Sequence, residues 1–183
     1  MLLRVARKAY RSAFFLFITV PFLLTTSQGR ALDFTTQSEN ITHWQSLADQ
    51  VLGDYGSYSH YLVEPYTQLA RAQLSAYRLE DAQTSVDKAI QNSRINSGLY
   101  AAEQIHLQKL SIEIDSIKSN WIGVEEKIIN LVILVTKQLE LEPKKVIEEL
   151  QWASDIRSLA AQEDSEDRSA VHILNATILL EHM

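Results

Sequence analysis

The sequence predicts an all-α protein, and three observations lead there. From Asn40 onward apolar residues recur at helical spacing almost everywhere, and no segment shows the strict alternation of a half-buried strand. The chain of 183 residues holds only 5 Gly and 3 Pro, too few for the many tight turns of a sheet-rich fold. With 46% hydrophobic and 22% charged side chains it has the composition of one globular domain or two small ones, which excludes collagen, mucin and an acidic disordered tail. It has no Cys, which excludes a disulfide scaffold, a zinc ribbon, a cysteine nucleophile and a lipidated amino terminus.

Residues 1–31 carry the chemistry of export. Arg4, Arg7, Lys8 and Arg11 form a basic start, and residues 12–24 (SAFFLFITVPFLL) follow as an apolar run shorter than the ~20 residues of a membrane-spanning helix. Gly29 and Ala31 then stand three residues and one residue before a cleavage point, so residues 1–31 are expected to be a signal peptide. That segment holds five of the 17 basic residues and none of the 23 acidic ones, so the remainder carries 12 minus 23, or −11. Such a field repels phosphate backbones, so nucleic acid is not an expected partner and a basic protein or peptide suits it better.

Residues 32–60 are expected to form a leading helix and loop, with Asn40 capping a helix over residues 41–52 and the Gly53–Ser57 stretch ending it. A second helix, about 61–77, carries Pro65 near its start, where a missing amide donor costs little. A third, about 79–93, shows Ala82, Val86, Ala89 and Ile90 on one face before Gly98 stops it. The fourth, about 99–118, repeats Leu107, Leu110, Ile114 and Ile117 at spacings of three, four and three. The fifth, about 121–141, is apolar almost all round at residues 128–135 and is expected to be buried on most sides, with Asn130 hydrogen bonded inside it. Pro143 opens a segment with Val146, Ile147, Leu150, Ala153 and Ile156, and a last helix over 170–181 shows Val171, Leu174, Ile178 and Leu179 as its stripe. Trp44, Trp121, Trp152 and the cluster Tyr55, Tyr58, Tyr61 and Tyr66 are expected in the core rather than at the surface.

Short helix pairs in series invite a search for a repeat. Tyr66, Leu69 and Ala70, followed by Ala82, Val86 and Ala89, place an aromatic, a Leu, a small residue and further apolar residues at the spacing of a tetratricopeptide unit. Leu107, Leu110, Ser111 and Ile114, then Trp121, Val124, Ile128 and Leu131, follow as a second unit, with a turn expected to be one residue longer. Residues 61–141 thus resemble two hairpins of the tetratricopeptide-repeat (TPR-like) superfamily, in an exported bacterial member with divergent repeats. Residues 142–183 read as a degenerate third hairpin or capping helices. The departures are Gln73 for the second aromatic, Arg94 where Pro usually ends the unit, and a distance of 42 residues from Ala82 to Val124 where the family's period is about 34.

The resemblance implies antiparallel helix hairpins stacked as a short right-handed superhelix, with a groove along the first helices that binds peptide segments. Glu64, Thr67, Arg71 and Ser75 in the first unit, and Gln108, Ile112 and Asp115 in the second, are the residues expected to line it. No cofactor or metal is expected: of His43, His60, His106, His172 and His182, no two stand at a ligand spacing on one helix face, and all five read as surface residues. Glu125–Glu126 and Glu148–Glu149 are adjacent pairs that splay about 100° apart on a helix and make no acid/base dyad. No nucleophile elbow, phosphate loop or zincin run is present.

The expected function is an exported protein-interaction module (adaptor, scaffold or assembly factor) without catalytic activity, periplasmic or secreted, with self-association open. Once the signal is removed, no stable membrane insertion is expected. Two other readings stand beside it: a structural subunit of a membrane-associated complex, anchored in the inner membrane through residues 12–24, and a helical periplasmic hydrolase. N-terminal sequencing of the exported protein is expected to give a start at Leu32; a chain still beginning at Met1 would turn the reading to the anchored subunit.

Overall fold

The computed structural model describes residues 27–137, 143–164 and 166–181. The basic start and apolar run of the expected export signal, and the last residues of the fifth expected helix, lie outside them. Contacts divide the chain into residues 1–33, of which 27–33 are helical, and residues 34–183. Seven α-helices follow one another with no strand among the described residues: α1 Ser27–Tyr55, α2 Val63–Ser75, α3 Leu79–Ser97, α4 Gln104–Ile117, α5 Trp121–Lys137, α6 Pro143–Glu163 and α7 Glu166–Glu181. A single 3-10 turn, His60–Leu62, leads into α2, and its Ser59 cap accepts a hydrogen bond from the Tyr61 amide.

Several boundaries differ from the sequence reading: α3 runs on to Ser97, α7 starts at Glu166, and three further cases have a local cause. Asn40 is no cap but lies inside α1. α2 is shorter than expected at both ends, because Ala76 and Tyr77 leave the helix and the 3-10 turn takes up its start. α4 starts at Gln104 rather than near Leu99: Gly98 takes φ 97° and ψ 166°, a conformation only glycine adopts readily, and residues 99–103 make turns before the helix can form.

α2 pairs with α3, α4 with α5 and α6 with α7, while α3–α4 and α5–α6 pack between these hairpins and α2 also touches α4. The turns of the first two hairpins share one backbone pattern. Tyr77 and Ser119 have φ 58° and 55°, and the amides of Arg78 and Asn120 donate to the Gln73 and Asp115 carbonyls at 2.8 and 2.9 Å. The amides of Ala82 and Val124 then start α3 and α5 on the Arg78 and Asn120 carbonyls. This is the Schellman closure of a helix end, in which orphan carbonyls gain partners. Every corresponding pair, from Gln73 and Asp115 to Ala82 and Val124, is separated by one and the same interval. The second turn therefore has the length of the first and is not one residue longer.

Two apolar cores result. The first joins Leu62, Tyr66, Leu69, Ala70, Ala82, Val86 and Ala89 to Leu107, Leu110 and Ile114 of α4, with Trp44 of α1 against it. The second joins Ile105 and Ile112, on the other side of α4, to Trp121, Val124, Ile128, Leu131, Leu134 and Val135 of α5 and to Leu150, Ala153 and Ala160 of α6. Ala70 and Ala82 are fully covered and Ser111 almost so, which allows the helix backbones to approach closely. Polar groups in these seams find partners: Ser85 Oγ donates to Gln73 Oε1 at 2.7 Å between α2 and α3, and the Lys127 ammonium meets the buried Asp115 carboxylate at 2.6 Å between α5 and α4.

Four expectations about burial are corrected. α5 is not buried on most sides, since Ile122, Ile129 and Ile133 are 61%, 49% and 44% exposed. Its apolar residues outnumber the positions that face α4 and α6. Asn130 is likewise exposed rather than enclosed. α7 turns His172 and Ala176 inward, leaving Val171, Leu174 and Ile178 exposed, because its inner face is selected by polar partners described below; the side chain of Leu179 lies outside the described ones. Tyr55, Tyr58 and Tyr61 are each more than 60% exposed, around the short loop after α1; only Tyr66 of that cluster is core.

Tyr77 holds a left-handed conformation that costs an L-residue about 1–2 kcal/mol, and its side chain is 72% exposed. Tyr77→Gly is therefore expected to stabilise the protein by about 0.5–1 kcal/mol in urea unfolding, after allowing for the greater entropy of glycine in the unfolded chain.

Candidate functional site

A cleft of about 280 Å³ opens across the first helices of the three hairpins. α2 supplies Arg71, α4 supplies Ile105, His106, Lys109, Leu110 and Glu113, and α6 supplies Glu149 and Trp152. His106, Lys109 and Glu113 stand at spacings of three and four, so one face of α4 carries all three while Leu107, Leu110 and Ile114 fill the first core behind it. The middle of the cleft is internally satisfied: Lys109 Nζ donates to Glu149 Oε2 at 2.8 Å and lies 4.6 Å from the centre of the Trp152 ring. Arg71 and Glu113 are exposed, and among the described residues neither forms an ion pair.

His106 is held below the ordinary histidine pKa, first by partial burial and then by the Arg71 charge, while Glu64 and Glu103 pull the other way. The neutral ring is the form that folding favours. Its contribution is present above the unfolded histidine value and is lost as the pH falls through the folded one. At the same end of α4, burial pushes Glu103 up, but hydrogen bonds from Ser93 and Ser97 and the nearby His60 and His106 hold it net below the usual carboxylate range. The Ser93 hydroxyl donates to it at 2.7 Å.

The expected groove residues divide between surface and interior. Glu64, Arg71 and Ser75 are exposed on α2, with Arg71 in the cleft. Thr67 is buried and its hydroxyl donates to the Val63 carbonyl at 2.6 Å. Gln108, Ile112 and Asp115 are buried too and none of them lines this cleft: Gln108 lines a separate cavity of about 170 Å³ with Arg94 and Asn130, Ile112 belongs to the second core and Asp115 to the ion pair with Lys127. The surface register of α4 differs from the expected one. Carrying Glu64, Thr67, Arg71 and Ser75 forward by the interval that separates the two turns lands on His106, Lys109, Glu113 and Ile117, and the first three of these line the cleft. That offset was legible as the distance from Ala82 to Val124. The residues expected to pack the repeats, from Tyr66 to Leu131, all lie buried in the structure.

A second polar site was missed altogether. His172, expected at the surface, is buried against α5 and the end of α6, with Nε2 2.9 Å from Asp164 Oδ2 and Nδ1 3.8 Å from Glu125 Oε2. Arg157 donates through Nη2 to Glu125 Oε1 at 2.6 Å and through Nε to Oε2 at 3.1 Å, and Asn175 Nδ2 donates to the same carboxylate at 3.0 Å. Arg168 pairs with Asp164 at 2.8 Å. An apolar pocket of about 230 Å³ beside this cluster is walled by Trp121, Ile122, Ile129 and Val171. These groups come from three helices; Asp164, Arg168 and His172 recur every four residues, but Glu125 and Arg157, which complete the cluster, lie on other helices and no spacing along the chain ties them to it. Among the described residues, no group of three or more His, Cys, Asp or Glu is placed to hold a metal ion, and no helix is long and apolar enough to cross a membrane.

No protein-family model, no curated protein and no solved structure matches the chain.

Glu125 ties α6 and α7 to α5 beside the apolar contact of α5 with α6, and its charge is compensated mainly by Arg157, whose side chain is only 7% exposed. Arg157→Leu is expected to cost about 3 kcal/mol in chemical denaturation, because it strands a largely buried carboxylate. Combining it with Glu125→Leu is expected to restore most of that loss.

Proposed function

We propose that this protein is an exported, TPR-like interaction module without catalytic activity, which holds a segment of another protein in the cleft across α2, α4 and α6. In this reading the hairpins wind as a short right-handed superhelix and residues 1–31 are removed on export. The observation that carries it is the cleft itself: three successive hairpins each contribute side chains from their first helix, and two of its charged groups, Arg71 and Glu113, have no ion-pair partner among the described residues. A stack of hairpins generates such a surface as a by-product of its curvature, and side chains on rigid helices meet a ligand at little ordering cost. Without residues 1–31 the chain carries −11, which would steer basic proteins toward it, while the cleft selects among them. The polar cluster around His172 serves in this reading to orient α7.

Site-specific photo-crosslinking tests it. A benzoylphenylalanine placed at position 117, exposed one turn beyond Glu113 on the same face of α4, in the full chain is expected to capture a partner protein in the cells that export it, whereas one at position 87, exposed on α3, is not. Equal capture from both positions, or capture from 87 alone, would move the binding surface off the cleft.

A further inference from the structure

The kind of segment that fits the cleft can be read from its charges, given the interaction role argued above. We infer that the partner segment is of mixed charge: a carboxylate for Arg71 and a cation for Glu113, set one helix spacing apart, with an apolar side chain between them against the part of Trp152 that Lys109 leaves open. Arg71 and Glu113 hold the same position in successive hairpins, because the backbone bonds that close the two turns recur at the very offset that separates these two residues. Equivalent positions on neighbouring packed helices stand about one helix spacing apart, roughly 8–10 Å. The two groups are opposite in sign, exposed, and without an ion pair among the described residues.

The remaining charges in the cleft do not alter the match. Lys109 and Glu149 neutralise each other at 2.8 Å, so a ligand gains nothing by pairing with either unless it breaks that bond. His106 is held toward its neutral form beside Arg71. What is left in the centre is chiefly the partly exposed side chain of Trp152 beside Lys109, with the edges of the buried Ile105 and Leu110 beneath it. A wholly basic segment satisfies Glu113 but sets a cation against Arg71, and a wholly acidic one makes the converse error; like-charge contact is how such a surface rejects wrong partners. In a polyproline II segment, residues three apart lie on one face about 9 Å from each other, which matches the helix spacing.

Three capped peptides of equal length serve as probes against the full chain. Their central sequences are Glu-Pro-Leu-Lys, Lys-Pro-Leu-Lys and Glu-Pro-Leu-Glu, titrated while the His106 ring resonances and the tryptophan indole resonances are followed by NMR. The mixed-charge peptide is expected to bind at least about tenfold more tightly than either of the others, to shift His106 and one indole together, and to weaken as salt is raised. Arg71→Glu is expected to invert the preference toward the Lys-Pro-Leu-Lys peptide, and since Arg71 is exposed the variant retains its fold, checked by circular dichroism. Equal binding of all three peptides at His106, or tighter binding of the wholly basic one to the unaltered protein, would overturn the mixed-charge inference and leave the interaction role standing. No shift at His106 with any peptide up to millimolar concentration would overturn both.

Discussion

The rest of the structure depends on α4 being packed on two sides at once. Leu107, Leu110 and Ile114 face the first core, and Ile105 and Ile112 face the second. A helix so enclosed has little surface left. The narrow strip that remains is His106, Lys109 and Glu113, and it becomes the floor of the cleft because α2 and α6 rise on either side of it. Site and core are therefore one constraint seen from two directions. The same enclosure demands a small residue at position 111, where Ser111 receives a hydrogen bond from Gln83 at 3.0 Å and its carbonyl accepts one from Lys127 at 3.4 Å. Asp115 could be buried only because Lys127 reaches it from α5.

Toward the carboxyl end, apolar packing gives way to polar contacts. Among its described side chains α7 buries only His172 and Ala176, and much of its apolar surface stays exposed. Buried ion pairs add little net stability compared with well-packed apolar groups, but they allow few alternative arrangements, since each misplacement strands a charge. Glu125 accepts three hydrogen bonds from α6 and α7, two from Arg157 and one from Asn175. The angle at which the last hairpin leaves α5 is thus set by hydrogen-bond directions as well as by the apolar contact of α5 with α6.

The all-helical class was legible because its evidence is repeated in every segment: period 3.6, few breakers, no alternation. The packing faces of α2 to α5 were legible for the same reason, since Tyr66, Leu69, Ala82, Val86, Leu107 and Val124 recur at spacings that only a buried stripe would need. Of the α2 residues expected in the groove only Arg71 lines the cleft and Thr67 is buried, while on α4 polar Gln108 and Asp115 looked like surface and Ile112 was placed between packing positions. A polar side chain is buried when a neighbouring helix supplies its partner, and that partner, such as Lys127 for Asp115, is invisible to spacing along one helix. The outward faces of α5 and α7 were misread for the opposite reason: Ile129, Ile133 and Leu174 are apolar by sequence and exposed by geometry. The cluster of Asp164, His172, Glu125 and Arg157 had no local signal beyond the recurrence of Asp164, Arg168 and His172 every four residues, because three helices are needed to assemble it.

The recurrence of one turn at a fixed interval has an engineering corollary. The bonds that reverse the chain inside each hairpin are reproduced at Arg78 and Asn120, and between the two bends lie α3, the connector of residues 98–103 and α4. The bends themselves are equal. Duplicating one such block in frame would add another layer with the same internal bend, and trimming residues from the connector would alter the pitch between layers while leaving each bend intact.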